Sequence, residues 1–253
     1  MNTALGAQAT QRLNLGDFYF RMAVVFLLIA IGGFMPTYWA PLAAGHFQAP
    51  PIVHLHATLL FGWTLLYLIQ TMLVASGSTA RHQALGLFGI ALFSAMCCTI
   101  IATRLATMHV QVEAGFGDAA RRFSAIPLLG LVPVITFFTA AIANVRRPEI
   151  HRRLMYMLMV GLMIPAIARV FLVMLRPAGV VAPPPTFVVI PPTLTAAVLI
   201  LVAVVYEWRR HGRVHPVFAY GGPALVLWMV AIVPLSTTPA WLAIIRSLER
   251  LSG

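Results

Sequence analysis

The chain has 253 residues, of which 60% are hydrophobic and only 9% are charged, and its formal net charge is +11. Soluble globular domains carry about 25% charged residues, so this composition excludes the ordinary soluble classes. The positive charge does not indicate a nucleic-acid partner, because the arginines lie between long apolar runs, as is typical of membrane proteins. We therefore expect the lipid bilayer, and no nucleic acid, as the surroundings of the chain.

Seven apolar runs follow one another along the chain, and each approaches or exceeds the ~20 residues that a helix needs to cross a bilayer. In lipid the backbone polar groups must be paired within the segment, so each run predicts a transmembrane helix. The sequence thus predicts an all-α bundle of seven transmembrane helices that forms a single domain over 1–253. The predicted spans lie near 19–40, 52–76, 84–107, 125–145, 153–175, 187–206 and 222–245.

The arginines predict the orientation of this bundle. If the N-terminus is cytoplasmic, ten of the 17 arginines fall inside and five outside, while Arg104 and Arg169 lie within helices. Basic residues are enriched in short cytoplasmic loops, and the segment 146–153 carries the densest cluster. We therefore expect the N-terminus inside and the C-terminus outside.

Two histidines near the start of the second run differ in the face that they occupy. Ionisable groups within a transmembrane helix are costly and usually face the interior of the bundle. His54 and His56 are ~200° apart at ~100° per residue, so a regular helix cannot direct both at one site. His56 lies within ~40° of Trp63, Tyr67 and Gln70, the more polar and aromatic face. We therefore expect His56 to point inward.

The third run places a histidine and an arginine on one face. Extending the helix back by one turn aligns His82 with Gly86, Gly89, Phe93 and Arg104. Glycines on such a face allow a neighbouring helix or a flat ligand to approach closely. Arg104 either lines the interior or extends to the outer surface of the membrane.

The fifth run repeats this arrangement. His151 and Arg169 are 18 residues apart, which is five full turns, so they share one face with Met155, Leu158 and Leu162 between them. If the second, third and fifth helices pack together, their interior holds two polar layers about 20–30 Å apart. The predicted cytoplasmic layer contains Gln70, His82 and His151, and the predicted outer layer contains His56, Arg104 and Arg169.

These six residues are the candidate cofactor-binding residues. Neutral imidazole is a good axial ligand for haem and a good ligand for transition metals. His82 and His151 come from two different helices at one depth, so they are the predicted ligands of haem b or of a transition-metal ion. The other interpretation is that both histidines are solvated at the interface beside the cytoplasmic arginines.

Three stretches together resemble a group of uncharacterised bacterial multi-pass membrane proteins: 54–77, 80–92 and 148–171. In that group a His-x-x-x-Gly start of one helix and a His-Arg-Arg-x-Met start of a later one recur, as at His82 and His151 here. The resemblance covers about half the chain and implies a bacterial inner-membrane protein without an established activity. The second element is also similar to one in small membrane proteins linked to cytochrome oxidase assembly, which implies a redox or respiratory context.

A weaker similarity concerns the seven-helix zinc hydrolases related to adiponectin receptors and alkaline ceramidases. Those enzymes carry a Ser-x3-His and a His-x3-His, and this chain has Ser78 with His82 and His211 with His215. Three histidines can bind zinc and leave a fourth position for water. Here, however, these residues fall in predicted loops, and no Asp lies inside a predicted helix.

The leading functional hypothesis is a haem- or metal-binding protein in a redox or respiratory-assembly context. The alternative is a non-enzymatic accessory or transport subunit, whose interior histidines and arginines bind an anionic or lipid-like ligand or fix the helix packing. Other membrane subunits are the expected partners in both cases. The sequence does not decide whether the protein is an enzyme.

Overall fold

The computed structural model describes residues 16–175 and 182–252, so Arg12 and Arg176 lie outside the described residues. Within these ranges the chain is helical and contains no strand, which confirms the all-α class. The helices are α1 (Phe18–Phe34), α2 (Ala40–Ala43), α3 (Pro51–Ala75), α4 (Thr79–Gln111), α5 (Gly117–Phe123), α6 (Ala125–Ala143), α7 (Pro148–Leu175), α8 (Ile190–His211), α9 (Pro216–Leu235) and α10 (Pro239–Ser252). A π-helical turn, Met35–Trp39, joins α1 to α2.

Six segments of the described chain are long and apolar enough to cross a membrane, so this is a multi-pass membrane protein. The third segment, Thr79–Ala143, has 65 residues. As one straight helix it would extend about 98 Å, three times the thickness of the hydrocarbon core. Instead the chain turns back at Gly115, where φ is 89°, and Phe93 of α4 stacks on Phe138 of α6 with 3.7 Å between ring centroids. This segment therefore crosses twice, and the described residues contain seven crossings.

The seventh predicted span, near 222–245, is two helices rather than one. α9 ends at Leu235, directly after Pro234, and α10 begins at Pro239. Proline lacks the backbone N–H that would continue the hydrogen-bond ladder, which favours an interruption here. α10 buries Trp241 and Ile245 and packs against α5. The apolar run continued past the true helix end because it included the buried face of a second, amphipathic helix.

Five helices form a closed ring around the interior of the bundle. Each packs against two neighbours in the order α1, α3, α4, α6, α7 and back to α1, while α8 and α9 pack on the outside against α7. The prediction that the second, third and fifth spans pack directly together is therefore only half right. α3 packs along α4, but α7 is held mainly by α1, α6, α8 and α9 and faces α3 and α4 across the ring.

An aromatic core fills the middle of this ring. The Trp63 ring contacts the stacked pair of Phe93 and Phe138, with centroids 5.3 Å and 5.8 Å away. Phe26 of α1 packs 6.0 Å from Tyr67 in the same interior. Because these rings occupy the middle of the span, they separate the polar residues at the predicted cytoplasmic end from those at the predicted outer end.

α1 and α7 approach each other closely at one glycine. A Cβ atom at Gly33 would lie 2.3 Å from the backbone oxygen of Ala166, so any larger residue there meets backbone. This contact places the end of α1 beside the outer third of α7.

Candidate functional site

The side chains of the predicted cytoplasmic layer lie together. The rings of His82 and His151 have centroids 6.2 Å apart and are nearly perpendicular, at 80°. Gln70 adjoins them, since its amide nitrogen is 4.0 Å from the position of a Cβ at Gly86, one turn after His82. Three helices thus bring two imidazoles and an amide to one point, although α7 does not pack along α3 or α4.

A hydrogen bond to a backbone carbonyl indicates the tautomer of the His151 ring. His151 Nδ1 lies 2.9 Å from the backbone oxygen of Ala141. A carbonyl only accepts, so Nδ1 carries the hydrogen and Nε2 of the neutral ring keeps its lone pair. The buried Nδ1 of His82 has no hydrogen-bond partner. The buried side-chain oxygen of Gln70 has no partner either, so the layer holds acceptor atoms that lack a donor.

The glycine face of α4 receives side chains from α3. A Cβ at Gly89 would lie 3.3 Å from the Leu66 side chain, and Gly86 faces Gln70. The sequence predicts that these glycines allow close approach of either a neighbouring helix or a flat ligand. The structure shows the approach of the neighbouring helix α3.

The predicted outer layer is divided. His56 Nδ1 lies 3.3 Å from the Thr99 hydroxyl, which itself donates to the Met96 carbonyl at 2.9 Å, so His56 is the donor to Thr99. The Arg169 guanidinium lies over the Phe34 ring, 5.5 Å from its centroid, and is near enough to His56 to interact with it electrostatically. His56 and Arg169 therefore lie at the same end of the ring, as the sequence predicts, but Arg169 is exposed at the surface of the bundle and does not line its interior.

Arg104 is not joined to these two residues by any contact of the described chain. It is 7% exposed and donates to the Ser124 hydroxyl at 2.8 Å, to the Gln111 side chain at 2.9 Å and to the Ala120 carbonyl at 3.1 Å. The single outer layer of three residues is thus wrong for Arg104. Arg104 does not extend to the surface either. Its guanidinium stabilises the connection between α4 and α6 through these hydrogen bonds.

Sequence reasoning missed a buried ion pair between α7 and α8. Arg153 donates to both carboxylate oxygens of Glu207, at 2.8 Å and 3.0 Å, and the two residues are 3% and 2% exposed. Arg153 also pairs with Glu149 at 2.6 Å. In the sequence, Arg153 is one of the arginines that predict the orientation of the bundle, and no partner for it is predicted. The signal that could have revealed the pair is Glu207 itself, because a carboxylate that directly follows an apolar run needs a cation to be buried.

A second group of charges fastens α10 to the connection between α4 and α6. Arg121 donates to both oxygens of Glu249, at 2.8 Å and 3.1 Å, and Arg246 donates to both oxygens of Asp118 at 3.0 Å. The hydrogen bonds from Arg121 lower the pKa of Glu249 below its usual value. The indole nitrogen of Trp241 completes the contact by donating to the Arg121 carbonyl at 3.1 Å.

The three-histidine zinc site expected from the hydrolase similarity is not formed by the described residues. No group of three or more His, Cys, Asp or Glu side chains in residues 16–175 and 182–252 is placed to hold one metal ion. His215 instead caps α9, where its Nδ1 accepts from the Val217 backbone at 3.2 Å, and burial lowers its pKa. The donor set around His82 is therefore two imidazoles and an amide.

Comparison of the chain with protein-family models, with curated proteins and with solved structures finds no match. The family resemblances noted in the sequence stay predictions. The function therefore has to be inferred from the geometry of the two polar layers.

Proposed function

We propose that this protein binds a transition-metal ion between His82 and His151, at the cytoplasmic face of a bacterial inner membrane. The observation that supports this proposal is the meeting of two imidazoles, from α4 and α7, across the interior of the ring. Ionisable side chains inside a membrane bundle are rare and usually mark a ligand site or a relay.

The separation of the rings suits a single ion. Metal–nitrogen bonds to imidazole are about 2.0–2.1 Å long, so two rings on opposite sides of one ion have centres about 6 Å apart. The same bonds at a tetrahedral angle place the centres about 5 Å apart. The observed 6.2 Å lies within about 1 Å of both arrangements.

The hydrogen bond of the His151 ring is the kind that metal-binding histidines make. Such histidines donate their second ring N–H to a carbonyl or carboxylate, which fixes the tautomer and orients the lone pair. His151 donates to the Ala141 carbonyl, and the buried Nδ1 of His82 has no partner. The unpartnered Gln70 oxygen offers a third donor atom. Imidazole ligands suit copper, zinc, iron and nickel.

A bare ion fits this layer better than haem b does. A macrocycle between the rings would need the space beside the glycine face of α4, and the side chains of Leu66 and Gln70 occupy that face. Two imidazoles leave coordination positions open, so the ion remains accessible to an exchanging ligand. We therefore place the protein in a redox or respiratory-assembly context, as a metal-holding subunit that acts with other membrane proteins.

The experiment is metal analysis of the purified protein, with an absorption spectrum before and after dithionite. We expect about one metal ion per chain in the wild type, and loss of the ion in H82A and in H151A with the protein retained in the membrane. H211A is the matched control, because His211 is an exposed histidine on the same predicted side.

Three outcomes decide between the alternatives. A haem spectrum that H82A and H151A both abolish would show that the same pair holds haem b and would refute the bare ion. Retention of the metal in both variants would refute the site. A wild type that is colourless and takes up no added copper or zinc would refute the cofactor, and an accessory role would then be the better interpretation.

A further inference from the structure

We propose a second site, for a phosphate-type anion, at the outer end of the ring, where Arg169 of α7 faces the π-helical turn Met35–Trp39. This site is independent of the metal site, because the aromatic core lies between them. The anion is either the headgroup phosphate of a lipid or free phosphate, since both present the same oxygens.

Arg169 carries a charge for which the described residues offer no partner. It lies six residues before the end of α7 at Leu175, about 9 Å within the helix. In residues 16–175 and 182–252 its contact is the Phe34 ring, and it makes no ion pair or hydrogen bond. Its side chain is exposed at the surface of the bundle. An unneutralised guanidinium at this depth is costly, so a counter-anion is expected.

The protein cannot supply that anion from its own acidic side chains. The chain has six Asp and Glu residues, all of them described, and each has partners elsewhere. Those six are Asp17, which caps α1, and Glu113, Asp118, Glu149, Glu207 and Glu249, which pair with His109 or with arginines other than Arg169. The counter-anion must therefore come from the lipid or from solution.

The π-helical turn Met35–Trp39, which follows α1, contains polar atoms without partners. The Thr37 hydroxyl and the Trp39 indole nitrogen are buried and have no hydrogen-bond partner. The turn packs against α7, and the Phe34 ring beside Arg169 contacts Phe61, whose ring is 4.7 Å from Trp39. π-helical turns occur frequently at functional sites. Thr37 and Trp39 are two residues apart on this turn and therefore occupy different faces of it, so at most one of them can be turned towards Arg169.

The chemistry of these groups selects an oxyanion. The planar guanidinium presents donors in a fork that matches phosphate oxygens, and the indole N–H can only donate. A cationic ligand would be repelled by the charge of Arg169 and would find no carboxylate there to bind it. A phosphate oxygen at this position would neutralise the guanidinium.

The test uses the purified full chain in dodecyl maltoside, a detergent without phosphate. The thermal midpoint is measured with inorganic phosphate, with phosphatidylglycerol, or with chloride at equal ionic strength. We expect at least one phosphate source to raise the midpoint of the wild type, and R169Q to lose that rise entirely. R122Q is the matched control, because Arg122 is an exposed outer-side arginine. It should respond as the wild type does.

The pattern of responses identifies the source or overturns the site. A rise with phosphatidylglycerol alone shows a lipid headgroup, and a rise with free phosphate shows a solute. No rise with either, or an equal rise in R169Q, overturns the proposal. If R169Q does not fold, R169K replaces it. R169K should raise the half-saturating concentration about tenfold, because lysine lacks the forked donors of the guanidinium, and an unchanged value would overturn the proposal.

Discussion

Replacing Glu207 by glutamine tests the buried ion pair that joins α7 to α8. The side chains of Arg153 and Glu207 are 4% and 2% exposed, so water cannot replace the lost charge. Removing one partner of a buried pair costs about 3–5 kcal/mol, because the other charge stays buried. Arg153 keeps Glu149, but that side chain is 61% exposed and neutralises it only in part. We therefore expect E207Q to lower the free energy of unfolding by about 3 kcal/mol, the low end of this range.

The assay is equilibrium unfolding of the purified protein in mixed micelles with increasing dodecyl sulfate, followed by circular dichroism. The double variant R153M/E207M should lose much less stability than E207Q, because it leaves no charge buried. E149Q should cost less than about 1 kcal/mol, as exposed pairs do. If E207Q is no less stable than E149Q, the Arg153–Glu207 pair does not contribute the free energy of unfolding that its burial predicts.

Three further predictions follow from the topology, the helix contacts and the charges. Reporter fusions in the loops before α4 and α7 should read cytoplasmic, and one between α2 and α3 periplasmic, whereas opposite signals would reverse the orientation. G33A should destabilise by about 1–3 kcal/mol because its Cβ meets backbone, while G32A, which has open space, should be neutral or slightly stabilising in the same unfolding assay. Because Arg121 lowers the pKa of Glu249, this carboxylate stabilises the fold above its usual pKa, and the contribution is lost as the pH falls through the lowered value. Acid should therefore weaken the wild type more than E249Q, and equal pH profiles would contradict the contact.

The features that depend on one helix at a time could be predicted from the sequence. The run that predicts a helix near 52–76 is α3, Pro51–Ala75, because membrane helices need a minimum apolar length. The shared face of Gly89, Phe93 and Arg104 is buried in α4, because helical periodicity is a local property. The depth of His82 and His151 followed from their distance to the helix ends, and the structure places their rings 6.2 Å apart.

Features that depend on which helices meet could not be predicted in this way. The sequence contains no information that α7 packs on α1 and α6 rather than along α3 and α4. It also did not reveal that Arg104 turns to Ser124 or that Arg169 is left without a partner. Each of these outcomes depends on a side chain that lies far away along the chain, such as Glu207, 54 residues from Arg153.

The sequence by itself determined the class, the crossings and the inward face of α4, because the transfer of apolar residues into lipid and the pairing of the backbone within each helix are local free energies. The tertiary structure alone decided the order of helices in the ring and the division of the polar residues among them. His82 and His151 meet across the interior, Arg153 is neutralised, and Arg169 is not. The physical reason is that helix packing and ion pairing depend on the shape and charge of other helices, which no single apolar run specifies.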